Sequence, residues 1–98
     1  MPGCVELTKE MLSSPVRLSI SDKDLTFAVA KEIADRKSLE INADAMLLAW
    51  FDRKSGTVSP RVECCSEKKP GWLVYAESRG GGIVIDINDE EYVFVYLG

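Results

Sequence analysis

Three cysteines are the most reactive side chains in this sequence: Cys4 lies near the start, and Cys64 and Cys65 are adjacent. Adjacent residues joined by a trans peptide bond have Cα atoms about 3.8 Å apart, which is closer than in an ordinary disulfide. The chain has no histidine, and its three thiols lack the Cys-x-x-Cys spacing that is usual in zinc sites. We therefore predict one buried and one half-exposed thiol at Cys64 and Cys65, with no disulfide and no metal.

A reactive thiol is the alternative interpretation of Cys64 and Cys65. It depends on Lys68 and Lys69, because nearby cations favour the thiolate over the thiol. This alternative predicts a thiol-dependent or metal-responsive protein.

Cations and aromatic rings occur together between Trp50 and Trp72. The basic residues of this stretch are Arg53, Lys54, Arg61, Lys68 and Lys69. Aromatic rings stack on bases and cations bind phosphates, so a small nucleic-acid or ligand-binding domain is a further alternative. Acidic residues interrupt the stretch, and the net charge of −4 opposes binding to a polyanion. We expect a solvated hairpin with tryptophans in the core, and we do not expect nucleic acid as a partner.

An acidic run lies near the end of the sequence, where one predicted strand ends and the next begins. It consists of Asp86, Asn88, Asp89, Glu90 and Glu91. The run lacks the length and the glycine of a calcium loop, whereas Asn and Asp are common in turns because they form local hydrogen bonds. We therefore predict a solvated β-turn.

Catalysis has little support in these residues. Without histidine, a general base near neutral pH has to be a carboxylate or a lysine with a perturbed pKa. Glu63, Glu77 and Asp86 are the carboxylates on predicted strands that we would test in that role. The Gly80-Gly81-Gly82 run lacks the ending of a phosphate loop. The sequence favours a non-catalytic protein and predicts no cofactor.

One amphipathic helix is predicted in the first half of the chain. Ser21 precedes Asp24 at the spacing of a capping box. Leu25, Val29 and Ile33 then recur every four residues, which predicts a helix with one apolar face. Asp replacing the second or third of these residues is expected to weaken folding severely.

The remaining elements are predicted strands. Residues 16–20 alternate between apolar and polar side chains, and the proline before them favours an edge position. Five further strands are predicted over Met46 to Arg53, Thr57 to Cys65, Gly71 to Arg79, Ile83 to Asn88 and Glu91 to Leu97. Lys54-Ser55-Gly56 and Gly80-Gly81-Gly82 are predicted hairpin connections. The expected fold class is α+β: a mainly antiparallel meander of five to six strands with one amphipathic helix on a face, or the same sheet closing toward a barrel.

The length of 98 residues predicts a single domain over residues 1–98, with flexibility expected at residues 1–7. No run of about 18 apolar residues is present, so we expect no membrane association. An odd number of cysteines does not make a disulfide framework, which favours a reducing compartment. We expect a cytoplasmic protein.

Four strings resemble a small family of short bacterial proteins classed as a domain of unknown function. They are residues 45–54 (AMLLAWFDRK), 59–65 (SPRVECC), 69–75 (KPGWLVY) and 86–88 (DIN). The resemblance covers most of the chain. It implies one compact domain, and it implies neither an activity nor a site.

The predicted sheet is apolar on both faces, as Met46 to Phe51 and Tyr92 to Leu97 show. Such strands are normally covered on both sides, and one helix covers only one. We therefore expect a homodimer formed through the uncovered face, with an unidentified protein partner as the alternative. The candidate interface residues are Trp50, Trp72, Tyr92 and Tyr96. The favoured function is a small non-catalytic binding or assembly domain that acts through its sheet face.

Overall fold

The computed structural model describes residues 11–12, 15–21, 25–59 and 70–98. Its elements are β1 (Val16–Leu18), α1 (Phe27–Ile41), β2 (Met46–Asp52), β3 (Thr57–Ser59), α2 (Gly71–Ser78), β4 (Gly81–Ile87) and β5 (Tyr92–Leu97). The α+β class is confirmed. The five strands form one sheet in the order β1-β4-β5-β2-β3, which stays open and does not close into a barrel.

The sheet is mixed, and this corrects the antiparallel meander. β2, β3, β4 and β5 pair antiparallel, whereas β1 lies parallel to β4, with Val16 opposite Ile85 and Leu18 opposite Ile87. Two helices, α1 and α2, and two strands, β2 and β3, lie between β1 and β4 in the sequence, so no short turn links the two paired strands. β1 is an edge strand, as the proline before it predicts.

The segment predicted as a strand over Gly71 to Arg79 is the helix α2. Its buried side chains include Trp72, Leu73 and Ala76, which are spaced by one and three residues and so lie on one helical face rather than on alternate sides of a strand. Gly80 has a φ of 88°, the left-handed conformation that commonly follows a helix. The glycine run therefore connects α2 to β4 and is not a hairpin turn.

The structure confirms one predicted hairpin and contradicts the predicted cap of α1. The hairpin at Lys54-Ser55-Gly56 is confirmed, since β2 and β3 pair on either side of it and Gly56 has a φ of 72°. The capping box at Ser21 is wrong. Thr26 caps α1 instead, because its hydroxyl accepts a hydrogen bond from the Val29 amide at 3.3 Å.

Helix α1 buries small residues against the sheet. Ala30, Ala34 and Ser38 are buried, while Val29 is 38% exposed. The apolar period of four is present, but it is offset by one residue from the stripe predicted through Val29. The severe loss of stability expected of an aspartate substitution therefore applies to buried positions such as Ala30 and Ala34, and not to Val29.

Both faces of the sheet are covered within one chain. α1 packs on a face formed by side chains such as Ile85, Phe94 and Tyr96. α2 packs on the opposite face, where Trp72 and Leu73 contact a cluster that includes Val95. The requirement for two covered faces is thus met by a second helix, which removes the open face through which a homodimer was expected.

Candidate functional site

Several predicted site residues lie outside the described residues. These are Cys4, Arg61, Glu63, Cys64, Cys65, Lys68 and Lys69. The thiol interpretation and most of the predicted basic patch therefore stay predictions. Within the described ranges, no group of three or more His, Cys, Asp or Glu side chains is placed to hold a metal ion, and no helix there is long and apolar enough to cross a bilayer.

The two described cations of the basic patch contact groups of their own chain. Arg53 donates from Nε to the Glu90 carbonyl at 3.1 Å and lies over the Phe51 ring. Lys54 pairs with Glu91 at 3.1 Å and lies 5.8 Å from the centre of the Tyr92 ring. Glu91 thus balances the charge of Lys54, and Arg53 is held by the Glu90 carbonyl and the Phe51 ring. These contacts within the chain agree with the predicted solvated hairpin.

The four predicted interface residues belong to the internal core. Trp72, Tyr92 and Tyr96 are buried, and Trp50 is half-buried with its ring centre 4.4 Å from that of Phe27. Their apolar surface is therefore largely used within the chain. That these residues form an interface stays a prediction. The exposed sheet face on which that prediction was based is covered by a helix of the same chain.

The acidic run forms a buried clamp rather than a solvated turn. The Asp86 side chain is 1% exposed, and Arg17 Nη1 lies 3.1 Å from its Oδ2 and 3.5 Å from Glu90 Oε2. Asp86 Oδ1 also accepts the Glu90 amide at 2.6 Å. The Asp86 and Glu90 carboxylates can be buried because β1 places the Arg17 guanidinium beside them. No local sequence pattern indicates this pairing.

Asn88 completes this clamp. Its side chain accepts a hydrogen bond from the Ile20 amide at 2.7 Å and donates one to the Ile20 carbonyl at 3.0 Å. Asn88, Asp89 and Glu90 all have φ between 54° and 64°, a left-handed conformation that costs energy for residues other than glycine. The hydrogen bonds at both ends of the turn offset this cost, so we assign the clamp a structural role.

A pocket with chemically distinct walls lies between α1 and the start of β2. We call it the Tyr96 pocket. Its volume is about 280 Å³, and it is lined by Lys31, Asp35, Ser38, Leu39, Ala45, Leu47 and Tyr96. α1 supplies the first four of these residues at spacings of one, three and four, which places them on one side of the helix. Of the lining residues, Tyr96 was predicted as an interface residue, and the other six were not among the predicted site residues.

Asp35 organises the polar wall of the Tyr96 pocket. The Tyr96 hydroxyl donates to Asp35 Oδ1 at 2.5 Å, and Lys31 Nζ lies 2.9 Å from Oδ2. Ser38 donates to the Asp35 carbonyl at 2.8 Å. The Lys31 and Asp35 side chains are 41% and 37% exposed, so this wall is open to solvent while Tyr96 anchors it from the core.

Burial, followed by the hydrogen bond to Asp35, raises the pKa of Tyr96 above its ordinary value of 10.0. The folded state therefore holds the phenol proton more tightly than the unfolded state does. The stabilisation is complete below pH 10 and is lost as the pH rises above it.

We expect the Tyr96→Phe variant to lose less stability than the wild type between pH 9 and about pH 11, because it has no phenol to ionise on unfolding. Urea unfolding at each pH measures this difference. Parallel curves for the two proteins would contradict the raised pKa. At pH 7 the variant should be weaker by about 1 kcal/mol, the value of one lost hydrogen bond.

A larger cavity of about 530 Å³ lies on the opposite face. Its lining consists of Leu73, Glu77, Gly80, Gly81, Gly82, Val84 and Val95. Among the described lining residues, Glu77 is the ionisable one, and it is exposed on α2. The described lining of the Tyr96 pocket has three ionisable side chains, Lys31, Asp35 and Tyr96.

The signal for the Tyr96 pocket in the sequence is weak. Lys31 and Asp35 have the spacing of an ordinary helical ion pair, and Tyr96 belongs to an apolar strand. Their meeting depends on how α1 crosses the sheet, which the sequence pattern does not specify.

Two comparisons concern proteins of Archaeoglobus fulgidus. An uncharacterized protein of this archaeon is 39% identical over 69 residues, which are 67% of this chain and 74% of the relative. The crystal structure of a novel protein, AF1514, from the same species superposes with a TM-score of 0.61 at 30% identity and covers 87% of this chain and 93% of that one. These relatives are archaeal, so they do not support the bacterial source that the resemblance implied.

The family comparison spans nearly the whole fold, from the residues before β1 to the penultimate residue of β5. Residues 13–96 match the family described as a domain of unknown function, DUF5619. The resemblance drawn from the four strings is confirmed to that extent, and no activity accompanies it. The chain belongs to the DUF5619 family.

Proposed function

We propose that this protein is a small non-catalytic binding domain whose ligand is a small amphipathic molecule held in the Tyr96 pocket. The supporting observation is the pairing of a polar wall, built on Asp35, with an apolar wall of Leu39, Ala45 and Leu47. Small-molecule sites typically combine apolar lining with a few fixed polar groups.

The fixed position of the polar wall supports binding. Tyr96 is 2% exposed and belongs to the central strand β5, so its hydroxyl cannot move far. Its hydrogen bond holds one oxygen of Asp35, and Lys31 holds the other. Groups held in place before binding cost less entropy when a ligand arrives.

Leu39 supports the apolar half of the site. It is 52% exposed, although it lines the pocket. Covering such a side chain gains about 25 cal/mol for each Å² removed from water. A ligand with an apolar part would gain this energy, whereas a purely polar ligand would not.

Assembly with a second copy is the other candidate. Among the described residues, Ile41, Met46 and Leu97 are large, apolar and exposed in addition to Leu39. Ile41 ends α1, while Met46 and Leu97 are opposite each other in the β2 and β5 pairing, so these residues share one end of the sheet. Exposed apolar patches often mark interaction sites. The homodimer was expected through a sheet face, and we propose this end of the sheet as its contact surface instead.

Pocket binding is tested with two small amphipathic probes, tert-butanol and N-methylacetamide. We expect each probe to shift backbone amide NMR signals mainly in residues 31–39, 45–47 and 96. The Ala45→Trp variant should abolish these shifts because the indole fills the pocket. Ala43→Trp is the control, because Ala43 is exposed in the same loop and is not part of the lining. Shifts scattered over the surface, or equal loss in both variants, would contradict the proposal.

A further inference from the structure

We infer that the ligand of the Tyr96 pocket is a zwitterion with an aliphatic side chain, of the class of the free α-amino acids. This inference rests on the proposed function and specifies its ligand. It follows from three properties of the lining: the paired opposite charges, their unused hydrogen-bonding capacity, and the size and polarity of the remaining space.

The polar wall presents one positive and one negative group side by side. Lys31 Nζ and Asp35 Oδ2 are 2.9 Å apart, and both side chains are more than a third exposed. An α-amino acid has an ammonium and a carboxylate at a similarly short separation. When it lies antiparallel to the ion pair, its carboxylate meets Lys31 and its ammonium meets Asp35, so each charge has an opposite neighbour.

Ligands with a single charge fit this wall less well. A carboxylate placed against Lys31 also lies near the Asp35 carboxylate, and an amine placed against Asp35 lies near the Lys31 ammonium. Because Coulomb energy varies only as the inverse of distance, the repulsion cancels much of the attraction. The wall therefore discriminates between a zwitterion and either of its singly charged halves.

Both charged groups retain hydrogen-bonding capacity beyond their contacts with the described residues. A lysine ammonium has three donors, and an ionised carboxylate has about four acceptor positions. Lys31 donates one hydrogen bond to Asp35, and Asp35 accepts one from Lys31 and one from Tyr96. The ion pair can thus stay intact while a ligand binds beside it.

The remaining space fits a small aliphatic group. A volume of about 280 Å³ leaves room for a small aliphatic group beside the ion pair. Leu39, Ala45 and Leu47 face this space. Their side chains can contact an aliphatic group of a ligand but cannot form hydrogen bonds with it. Glycine has no side chain with which to contact these three residues.

The test compares four probes by amide NMR titration: L-leucine, 4-methylpentanoate, which lacks the ammonium, 3-methylbutylamine, which lacks the carboxylate, and glycine. We expect leucine to shift the pocket signals with a Kd at least tenfold lower than that of each other probe. Equal Kd values for leucine and either singly charged analogue would overturn the inference. If those analogues still shift the pocket signals, the proposed function stands. If none of the four probes shifts them, the inference is wrong, and the proposed function is wrong as well when tert-butanol and N-methylacetamide also fail to shift them.

The matched variants are Lys31→Met and Lys37→Met. Both remove a lysine from α1, and Lys37 has a comparable partner in Glu40 at 3.5 Å, but Lys37 does not line the pocket. Lys31→Met should raise the Kd for leucine at least tenfold and narrow the difference between leucine and 3-methylbutylamine. Lys37→Met should leave the Kd within twofold. Equal effects of the two variants would show that general helix charge, rather than the ion pair, determines the affinity.

Discussion

Replacement of Arg17 by methionine is expected to lower the free energy of unfolding by about 3 kcal/mol, because it leaves two buried carboxylates without this cation. Arg17 Nη1 lies within 3.5 Å of both Asp86 and Glu90, whose side chains are 1% and 8% exposed. The methionine keeps most of the apolar stem, so the loss reports on the charge. Urea unfolding monitored by circular dichroism measures it.

Arg36→Met is the matched control for Arg17→Met. Arg36 pairs with Glu32 at 3.6 Å, but both side chains are mostly exposed. Exposed pairs contribute little, so this variant should stay within about 0.5 kcal/mol of the wild type. Similar losses in the two variants would mean that the clamp at the β4–β5 turn contributes no more than an ordinary surface ion pair.

Replacement of Ala34 by aspartate is expected to have the largest effect, a loss of more than about 4 kcal/mol that leaves the chain mostly unfolded. Ala34 is fully buried between α1 and the sheet, where it packs in the cluster of Ile85 and Phe94. A carboxylate there would be removed from water into a cluster of apolar side chains. Loss of the cooperative thermal transition measures the effect.

Ala28→Asp provides the comparison for Ala34→Asp. Ala28 is exposed in the first turn of α1, where a negative charge is favourable to the helix dipole. This variant should melt within a few degrees of the wild type. Should Ala34→Asp also melt normally, the packing of α1 on the sheet as described would be wrong.

The elements that the sequence predicted well depend on local patterns. α1 follows from its four-residue apolar period, and the hairpin between β2 and β3 follows from Gly56. The need for two covered faces followed from strands such as Tyr92–Leu97, which are apolar on both sides. In each case the information lies within about 15 residues, a helix length.

The elements that were missed depend on longer-range or ambiguous information. The string of α2, GWLVYAES, is short enough for its apolar residues to fit either a helix or a strand, and the packing of Trp72 and Leu73 decides between them. The pairing of Arg17 with Asp86 spans 69 residues and that of Tyr96 with Asp35 spans 61. Neither pairing is visible without the strand order, so both the clamp and the Tyr96 pocket escaped prediction.

The strand order has a consequence for synthesis on the ribosome. β4 and β5 occupy the interior of the sheet, yet they follow β1, α1, β2, β3 and α2 in the sequence. Until they emerge from the exit tunnel, β1 has no partner and α1 has no surface on which to bury its alanines. The hydrophobic core on both faces of the sheet therefore forms only after β4 and β5 have been translated. A truncated product that ends before β4 should be a substrate for chaperones and proteases rather than a folding intermediate.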